Sequence, residues 1–465
     1  MPDYKMKKNM LQAMCFLLVL CGLLALNIIY ISVFKAEELM ENPLNQRTAA
    51  TQREIVRGKI KTSDGEILAE NLTEGGRSYP WGEAAAAVTG YNGENIGGAG
   101  LEAHRSRELM GSSKDLAGLG PLSQLLQASQ GNDLETTIDS RAQQAAYEAM
   151  SGHKGAVVVL DASTGAILAM VSTPAYDPNT AEADWQSLKI AEDSPLLNRA
   201  VQGLYPPGST IKPLTAAAAL GEGITNEKEA FKCTGRLELE DGSFIGEYQG
   251  EVHNQVNLEQ ALAESCNVTF GSLGLRLGGK KLGKYFEAFG FPQEIGGEIL
   301  MTKSHLPDFL KIGQGDLAQV SIGQASLLVT PMHMALMASA FANNGNIMKP
   351  YLVQKVISPK GITLENTRPE KWRSALDPAM AAIIDSYMEQ VVKEGTGTAA
   401  AVRGIRVTGK TGTAENASGE DHAWFIGSAQ LPERKIAFAI IVENGGSGGR
   451  TAAPIARQII ESMYR

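Results

Sequence analysis

Three short groups of polar residues in this chain have the types and spacing expected of an acyl-transfer site. They are, in chain order, Ser209-Thr-Ile-Lys212, Ser265-Cys-Asn267 and Lys410-Thr-Gly-Thr413. A serine hydroxyl becomes a strong nucleophile only when a neighbouring group takes its proton. Because residues three apart on a helix share a face, Lys212 is placed to act as the base for Ser209. The first group therefore indicates a serine nucleophile paired with a lysine.

The residues around Ser209 predict that it begins a helix. Tyr205-Pro-Pro-Gly208 cannot be helical at its prolines, and Pro213 is tolerated only near the first turn. Ser209 would then lie at the positive end of the helix, beside unpaired backbone N–H groups. Lys212 can accept a proton only when it is neutral, which requires burial or a nearby positive charge. Lys410 is the candidate source of that charge.

The second group would serve proton transfer and substrate binding. We expect Ser265 to pass protons between the base and the leaving group, and Asn267 to hydrogen-bond a substrate amide. Structural alternatives exist for each group: a helix-capping serine at Ser209, a solvated turn after a helix at Leu258–Glu264, and a surface lysine at Lys410. The order and wide spacing of all three groups favour the catalytic interpretation.

The third group lies in a segment of alternating side chains, 406–415, which predicts a strand. Glycine in a strand, here Gly409 and Gly412, often allows another backbone to approach closely. We expect that backbone to be a peptide substrate, added as a strand along the edge.

The same strand would supply the contacts that orient a substrate. Lys410, with Thr411 or Thr413, would hold a terminal carboxylate beside Gly412. The backbone N–H groups of Ser209 and Thr413 would form an oxyanion hole, in which the loss of one donor typically costs about 10²–10³ in rate.

Several other segments match catalytic patterns less completely. Ser32-Val-Phe-Lys35 and Ser151-Gly-His-Lys154 repeat the serine–lysine spacing, and we expect neither to be catalytic. Gly445-Gly-Ser447-Gly-Gly449 matches the nucleophile elbow of α/β-hydrolases, whose histidine comes after the serine. No histidine follows Ser447 in the sequence. This glycine-rich segment is better interpreted as a turn.

The sequence predicts no metal site and no cofactor. Its six histidines have no metal-ligand spacing; they are His104, His153, His253, His305, His333 and His422. Of these, His422 is a candidate for the rim of the site. Cys15 and Cys21 lie in an apolar segment. Cys233 and Cys266 are too few for a disulfide framework, so we expect free thiols, with Cys266 pointing away from the site.

The motifs resemble those of the class B penicillin-binding proteins, the monofunctional D,D-transpeptidases of bacterial cell-wall synthesis. The resemblance covers nearly all of the chain after residue 34. Besides the three groups, it includes Arg57-Gly-Lys-Ile with Asp64-Gly-Glu-Ile-Leu-Ala69, Gly100-Leu-Glu102, Thr137-Ile-Asp139, 155–161, Asn198-Arg-Ala200, Gly323-Gln324, Thr330-Pro331 and Gly395-Thr-Gly-Thr398. One departure is Thr62-Ser63, where the family usually carries Asp-Arg.

The resemblance implies a specific reaction and fold. Ser209 would be acylated by the D-Ala-D-Ala end of one peptidoglycan stem peptide, and an amino group of a second stem peptide would then attack. β-Lactam antibiotics would acylate the same serine. The implied fold is α/β (α+β): an antiparallel sheet flanked by helices, with an all-helical subdomain. The implied partner is a membrane glycan polymerase of the shape-elongation-division-sporulation family, since the chain has no glycosyltransferase domain.

Composition and the first residues predict a membrane-anchored protein. A net charge of −9 argues against a nucleic-acid partner. Residues 11–34 carry no charge, and a helix of that length spans roughly 36 Å, enough to cross a bilayer. Lysines before it, at Lys5, Lys7 and Lys8, favour a cytoplasmic N-terminus and an extracytoplasmic body. A cleaved signal peptide is disfavoured because the apolar run is too long and because Phe34-Lys35 is a poor cleavage site. A lipoprotein cysteine at Cys21 is disfavoured because the apolar run continues past it.

We expect four parts along the chain: a cytoplasmic tail at 1–10, a transmembrane helix at 11–34, a small pedestal, dimerisation-like domain at 35–132, and the transpeptidase domain at 133–465. The alternative for the pedestal is a disordered linker. In the last part, hairpins at 155–171 and 423–442 would form one sheet, with a closing helix at 452–464.

Three other functions remain as alternatives to the transpeptidase. A D,D-carboxypeptidase or β-lactamase would pass the acyl group to water and needs a group that activates water. A β-lactam sensor would be acylated without turnover but usually has several spans and a cytoplasmic effector. A scaffold would have an inactive site, which the complete set of motifs disfavours.

Overall fold

The computed structural model describes residues 2–34, 56–73, 75–111, 130–240, 242–416 and 419–464. Two compact units result. One comprises residues 60–105, 135–355 and 365–465 and contains all three motifs; the other comprises 1–59, 106–134 and 356–364. Lys35 of Ser32-Val-Phe-Lys35 and residues 36–55 of the predicted pedestal lie outside the described residues.

A five-stranded antiparallel sheet is the framework of the larger unit. Its strands, numbered here in chain order, are β1 Gly155–Asp161, β2 Ile167–Thr173, β3 Arg406–Ala414, β4 His422–Gln430 and β5 Lys435–Val442. The spatial order is β3-β4-β5-β1-β2, so strands from distant parts of the sequence are neighbours. The predicted antiparallel sheet is confirmed, and the Lys-Thr-Gly strand β3 is its edge.

Helices cover both faces of this sheet, as the sequence predicted. Strands β1 and β5 are nearly continuous apolar runs, which is typical of strands buried on both faces. Pro331–Ala342 packs against both strands. On the opposite face, Ser140–Ala149 and Ala452–Tyr464 share one core with Val157 of β1 and with residues of β4 and β5.

Local capping interactions fix where several of these elements begin. The Asp139 carboxylate accepts a hydrogen bond from Ala142 N at 3.1 Å and caps the helix Ser140–Ala149. In the β1–β2 turn, Asp161 Oδ1 accepts from Ser163 N at 2.9 Å and Thr164 N at 3.0 Å. Aspartate favours such positions because its short side chain satisfies backbone donors.

A mainly helical region lies between β2 and β3. Its helices are Trp185–Ile190, Arg199–Gln202, Lys212–Gly221, Leu258–Ala263, Asn267–Leu277, Gly279–Ala288, Gln314–Ser321, Pro331–Ala342 and Pro378–Lys393. Its short strands are Phe231–Cys233, Arg236–Glu238, Phe244–Gly246, Asn254–Val256, Asn346–Met348, Val353–Ile357, Thr363–Asn366 and Lys371–Ser374. The helices Leu258–Ala263 and Asn267–Leu277 are separated by a short break at Ser265.

Residues 60–105 form short strands and helices within the larger unit. The strands are Ile60–Lys61, Ile67–Asn71, Arg77–Ser78, Asn92–Gly93 and Gly97–Gly98; the helices are Ala86–Thr89 and Gly100–His104. Thr62-Ser63 makes an ordered turn: Thr62 Oγ1 accepts from Glu66 N at 2.9 Å, and Ser63 Oγ donates to Ile138 O at 2.9 Å. Hydroxyl hydrogen bonds therefore stabilise this turn without the family's Asp-Arg pair.

The N-terminal helix of the other unit spans Pro2–Phe34. Within it, the segment Met6–Ile28 is long and apolar enough to cross a membrane. Its most apolar part is not buried against other residues of the structure. Ser106–Leu109 is a further short helix, and Asp133–Thr136 is a strand.

Candidate active site

Ser209 lies in the first turn of a helix, as predicted. Residues Gly208–Ile211 form a 3₁₀ turn that continues directly into the α-helix Lys212–Gly221. The approach is fixed by Tyr205, whose N–H donates to Val329 O at 3.0 Å, and by Gly208 N, which donates to Gly323 O at 2.9 Å. Ser209 is therefore a partly exposed hydroxyl on a rigid turn.

Lys212 is fully buried and turned toward the second motif. Its Nζ donates to Ser265 O at 2.5 Å, to Asn267 Oδ1 at 2.7 Å and to Ser265 Oγ at 3.2 Å. Burial lowers the pKa of Lys212 to about 8, against the raising effect of the nearby Glu247 carboxylate. A lysine with this pKa is partly neutral near pH 8, which a general base requires. Among the described residues, Lys212 Nζ makes no hydrogen bond to Ser209 Oγ. Hydrogen bonds between a base and its nucleophile often become short only when substrate is bound.

Ser265 lies in the break between two helices. Its φ of +63° is in the left-handed region, which non-glycine residues adopt rarely because of steric strain. Asn267 begins the next helix and is held from two sides: its N–H donates to Glu247 Oε2 at 2.8 Å, and its Nδ2 donates to Gly246 O at 2.9 Å. Cys266 points away from the site, because its Sγ contacts Glu247 and Thr269.

Lys410 completes the group from strand β3. Its Nζ donates to Ser265 Oγ at 2.9 Å and to Thr411 O at 3.0 Å. Burial, and then the charge of Lys212, lower the pKa of Lys410 well below its ordinary value. The sequence prediction made Lys410 the cause of a lowered Lys212 pKa; in the structure the main cause at Lys212 is burial.

Gly412 is the point where β3 meets the nucleophile turn. A Cβ at this residue would lie 2.8 Å from Thr210 Cγ2 and 3.0 Å from Pro207 O. The sequence interpretation assigned the close approach to a peptide substrate. In the structure the Ser209 segment itself occupies this space. The neighbouring Thr411 hydroxyl is paired with Thr396 Oγ1 at 2.6 Å, whereas Thr413 is only half-buried.

The competing motifs lie elsewhere or have structural roles. Ser151 is exposed, and Lys154 of the same motif pairs with Glu443 at 3.4 Å. Ser447 lies in a turn, where its carbonyl accepts from Thr451 N at 3.0 Å. His422 Nδ1 accepts from Asn444 N at 3.1 Å, and its ring contacts Tyr205 edge-on.

Sequence reasoning missed a buried ion pair behind Ser209. Arg199 Nε donates to Glu443 Oε1 at 2.8 Å, and Tyr205 Oη donates to the same oxygen at 2.7 Å. Arg199 is 1% exposed. The motif Asn198-Arg-Ala200 marked this arginine, but its partner lies 244 residues away in the sequence. The pair fixes the residues that lead into the nucleophile turn.

Comparisons with known proteins agree with this arrangement. Residues 155–461 match the family model described as the penicillin binding protein transpeptidase domain, and residues 57–134 match the penicillin binding protein A dimerisation domain. The peptidoglycan D,D-transpeptidase PbpA of Mycolicibacterium smegmatis is 36% identical, over 97% of this chain and 97% of the relative. PbpA of Mycobacterium tuberculosis is 34% identical, over 96% and 97%.

Solved structures of two such proteins resemble the fold. A ceftriaxone acyl-enzyme complex of penicillin-binding protein A from M. tuberculosis has a TM-score of 0.82 and 34% identity, over 89% of this chain and 99% of that chain. The D,D-transpeptidase domain of a peptidoglycan glycosyltransferase from Eggerthella lenta has a TM-score of 0.80 and 33% identity, over 88% and 98%. With a family model over most of its length and relatives matched almost end to end, the chain belongs to the penicillin-binding protein transpeptidase family.

Proposed function

We propose that this protein is a serine-type peptidoglycan D,D-transpeptidase that cross-links stem peptides through an acyl-enzyme at Ser209. The observation that carries the proposal is that two buried lysines, Lys212 and Lys410, both contact the half-buried Ser265 hydroxyl, beside a serine in the first turn of a helix. Relatives that match nearly the whole chain are named peptidoglycan D,D-transpeptidases, and a structural neighbour was solved as a β-lactam acyl-enzyme.

In the first half-reaction, neutral Lys212 takes the proton of Ser209 Oγ, and Oγ attacks the carbonyl carbon between the two D-alanines. The backbone N–H groups of Ser209 and Thr413 stabilise the oxyanion. Ser265, which contacts Lys212 Nζ at 3.2 Å, carries the proton to the departing amine, and D-alanine leaves. The bond formed is the Ser209 ester, and the bond broken is the peptide bond.

In the second half-reaction, the amino group of another stem peptide attacks the ester. Its proton returns through the same groups to Ser209, and the cross-link is formed. A β-lactam would acylate Ser209 by the same first step. Its leaving nitrogen stays attached through the ring, which keeps the acceptor away and makes the adduct persistent.

The roles of the β3 side chains follow from which of them already have hydrogen-bond partners within the protein. Burial disfavours the charged form of Lys410 in the free site, and the terminal carboxylate of a bound substrate would favour its protonation and pair with it. Thr411 is held by Thr396, so we assign direct contact with the carboxylate to Thr413. Asn267 binds the substrate amide after Lys212 releases its Oδ1. The edge position of β3 suits a substrate peptide added as a further strand.

We also propose that the protein is anchored in the membrane. The helix Pro2–Phe34 would be a single span, with the N-terminus in the cytoplasm, because Lys5, Lys7 and Lys8 precede the apolar run. The pedestal at 35–132 and the anchor would contact a membrane glycan polymerase of the shape-elongation-division-sporulation family, and residues 133–465 would act outside the cell membrane.

Labelling of the full-length protein in detergent with a fluorescent penicillin tests the activity. We expect a stable band on a denaturing gel, no band for Ser209→Ala, and unchanged bands for Ser151→Ala and Ser447→Ala. Loss of labelling in a folded Ser447→Ala protein would overturn the assignment of Ser209.

The labelling experiment, together with a cross-linking assay, distinguishes the transpeptidase from the alternative functions. A folded protein that never labels would indicate a scaffold. A label that appears and disappears within seconds would indicate a hydrolase of the carboxypeptidase or β-lactamase type. Release of D-alanine from a stem peptide, with formation of a cross-linked dimer when an amino acceptor is added, distinguishes the transpeptidase from a β-lactam sensor.

A further inference from the structure

Four side chains outside the proposed catalytic group converge behind the Ser265–Asn267 segment. They are Cys233, Glu247, His253 and Cys266, and one ligand atom of each lies within 4.8 Å of those of the others. The two cysteines are 1% and 0% exposed. The Glu247 and His253 side chains are 2% and 9% exposed. The cluster is therefore a nearly dry group of four metal-ligating side chains.

The distances within the cluster suit one tetrahedral ion. Glu247 Oε1 lies 3.0 Å from Cys266 Sγ, 3.3 Å from Cys233 Sγ and 3.8 Å from His253 Nδ1. Cys233 Sγ lies 3.4 Å from His253 Nδ1. Zinc–ligand bonds of about 2.0–2.3 Å in tetrahedral geometry place the ligand atoms roughly 3.2–3.8 Å apart. Only small movements of these side chains would be needed to bind the ion.

The outer contacts orient the ligands in the way that metal sites require. The two oxygens of Glu247 accept from successive backbone N–H groups, Oε2 from Asn267 N and Oε1 from Val268 N, each at 2.8 Å. These bonds fix the carboxylate with Oε1 on the side of the cluster, where its second lone pair can bind the ion. The second ring nitrogen of His253, Nε2, lies 3.6 Å from Glu251 Oε2. A histidine that binds a metal commonly donates its other N–H to a carboxylate, which fixes its tautomer and orientation.

The types of the ligand atoms select among metals. Two thiolates and an imidazole suit zinc, whereas calcium and magnesium prefer sites made only of oxygen. All four first positions would be filled by protein, as in structural rather than catalytic zinc sites. An open pocket reaches Cys233 from the surface and offers a path for the ion; its other lining residues are Lys232, Thr234, Val252, Asn254 and Gln255.

We propose that Cys233, Glu247, His253 and Cys266 bind one structural Zn²⁺, which holds the Ser265–Asn267 segment in place. Binding converts both thiols to thiolates and releases their two protons to water. The ion would join the strand Phe231–Cys233 and the residues on either side of the turn Tyr248–Gly250 to the start of the helix Asn267–Leu277. This site lies beyond the proposed transpeptidase reaction and does not depend on it.

Because Cys266 belongs to the Ser265–Asn267 motif, a bound ion would stabilise the conformation of that motif. Cys266 lies between Ser265 and Asn267, and Ser265 is held at a φ of +63°. A ligand at Cys266 and another at Glu247, which accepts from the N–H groups of Asn267 and Val268, would oppose relaxation of this strained segment. The four ligands are thus positioning residues, since none of them contacts Ser209.

Metal analysis of the full-length protein tests the site directly. The protein is purified in detergent, without chelators, from cells grown with zinc, and its metal content is measured by mass spectrometry. We expect about one zinc per chain, and less than about a tenth of that for Cys266→Ser and His253→Ala. Cys15→Ser, whose cysteine lies in the N-terminal helix, is the matched control and should keep the zinc.

A subtler variant and a spectroscopic probe complete the test. Glu251→Gln should weaken zinc binding by at most about 10-fold, because the exposed Glu251 carboxylate lies 3.6 Å from His253 Nε2, whereas Glu240→Gln should have no effect. Replacement of zinc by Co²⁺ should give thiolate-to-metal charge-transfer absorption that Cys233→Ser diminishes. Zinc-free protein that neither takes up added Zn²⁺ nor shows the Co²⁺ bands would overturn the proposal. A Cys233–Cys266 disulfide in the freshly isolated, non-reduced protein would overturn it as well.

Discussion

Lys212 and Lys410 are joined through a single hydroxyl: Ser265 Oγ lies 3.2 Å from Lys212 Nζ and 2.9 Å from Lys410 Nζ. Both ammonium groups are fully buried, and burial disfavours the charged form of each. Two positive charges at this separation also repel each other. The arrangement thus favours one neutral and one charged lysine, with a hydroxyl between them that can transfer a proton.

The protonation of Lys212 predicts how acylation depends on pH. With its pKa lowered to about 8, the neutral and active form increases as pH rises. Between pH 7 and pH 9 its fraction grows from about a tenth to about nine tenths, so the acylation rate should rise roughly tenfold. Stopped-flow acylation by a fluorescent penicillin measures this. Lys212→Arg should be slow at every pH. A wild-type rate that falls over this range would contradict the role of Lys212 as base.

Replacement of Lys410 should separate catalysis from stability. Lys410→Met keeps much of the side-chain volume and removes a buried ionisable amine that lies close to Lys212. We expect acylation to fall by about 10²-fold or more, since the charge for the ligand carboxylate is lost. The melting temperature should stay within a few degrees or rise, because removal of a buried charge relieves desolvation and repulsion. A large fall in melting temperature would show instead that Lys410 is needed for the fold.

A methyl group at Gly412 should disturb the nucleophile turn. In Gly412→Ala the new Cβ would lie 2.8 Å from Thr210 Cγ2, closer than packed carbon atoms allow. We expect a loss of about 1–3 kcal/mol in the free energy of unfolding and slower acylation, since Ser209 must shift. Denaturant unfolding and labelling kinetics measure the two effects. Gly296→Ala is the control, because a Cβ there meets no atom within 4 Å. Equal behaviour of the two variants would disprove the contact.

The buried pair of Arg199 and Glu443 should contribute much more to stability than a surface pair. Glu443→Gln leaves the Arg199 guanidinium without its counter-charge, and we expect the free energy of unfolding to fall by about 2–4 kcal/mol. The control is Glu370→Gln, which breaks an exposed pair with Lys349 at 3.6 Å and should cost at most about 1 kcal/mol. Thermal unfolding compares the two. A similar loss of stability in both variants would show that the buried pair stabilises the fold no more than an exposed pair does.

Much of the fold could be predicted because its signals are local. Apolar runs between turns predicted the hairpins of β1–β2 and β4–β5, and the closing helix Ala452–Tyr464 was placed at its observed bounds. The prolines around Ser209 correctly located the start of its helix. These predictions depend on residues close together in sequence, where propensity and capping act directly.

The contacts between distant segments could not be predicted in the same way. The contacts of Ser265 at the helix break are with Lys212 and Lys410, which lie 53 and 145 residues away in the sequence. Glu443 becomes the partner of Arg199 only after β5 is in place. Glu247 and the three side chains around it come from positions with irregular spacing, so no sequence pattern marks them as a cluster. The catalytic roles assigned to the motif residues stay predictions until the variants are measured.

The edge position of β3 has a consequence for handling the protein. The edge strand of a sheet carries backbone groups that can pair with any extended chain, and natural proteins usually protect it with charges, prolines or bulges. In β3 the side chains from Val407 to Gly412 are buried, and Arg406 is the only exposed cation at its start. Because these residues are buried together with their backbone, a second copy of the protein could add to β3 only near Thr413, which is partly exposed. Burial thus takes the place of those protective devices, and preparations at high concentration should not aggregate through β3.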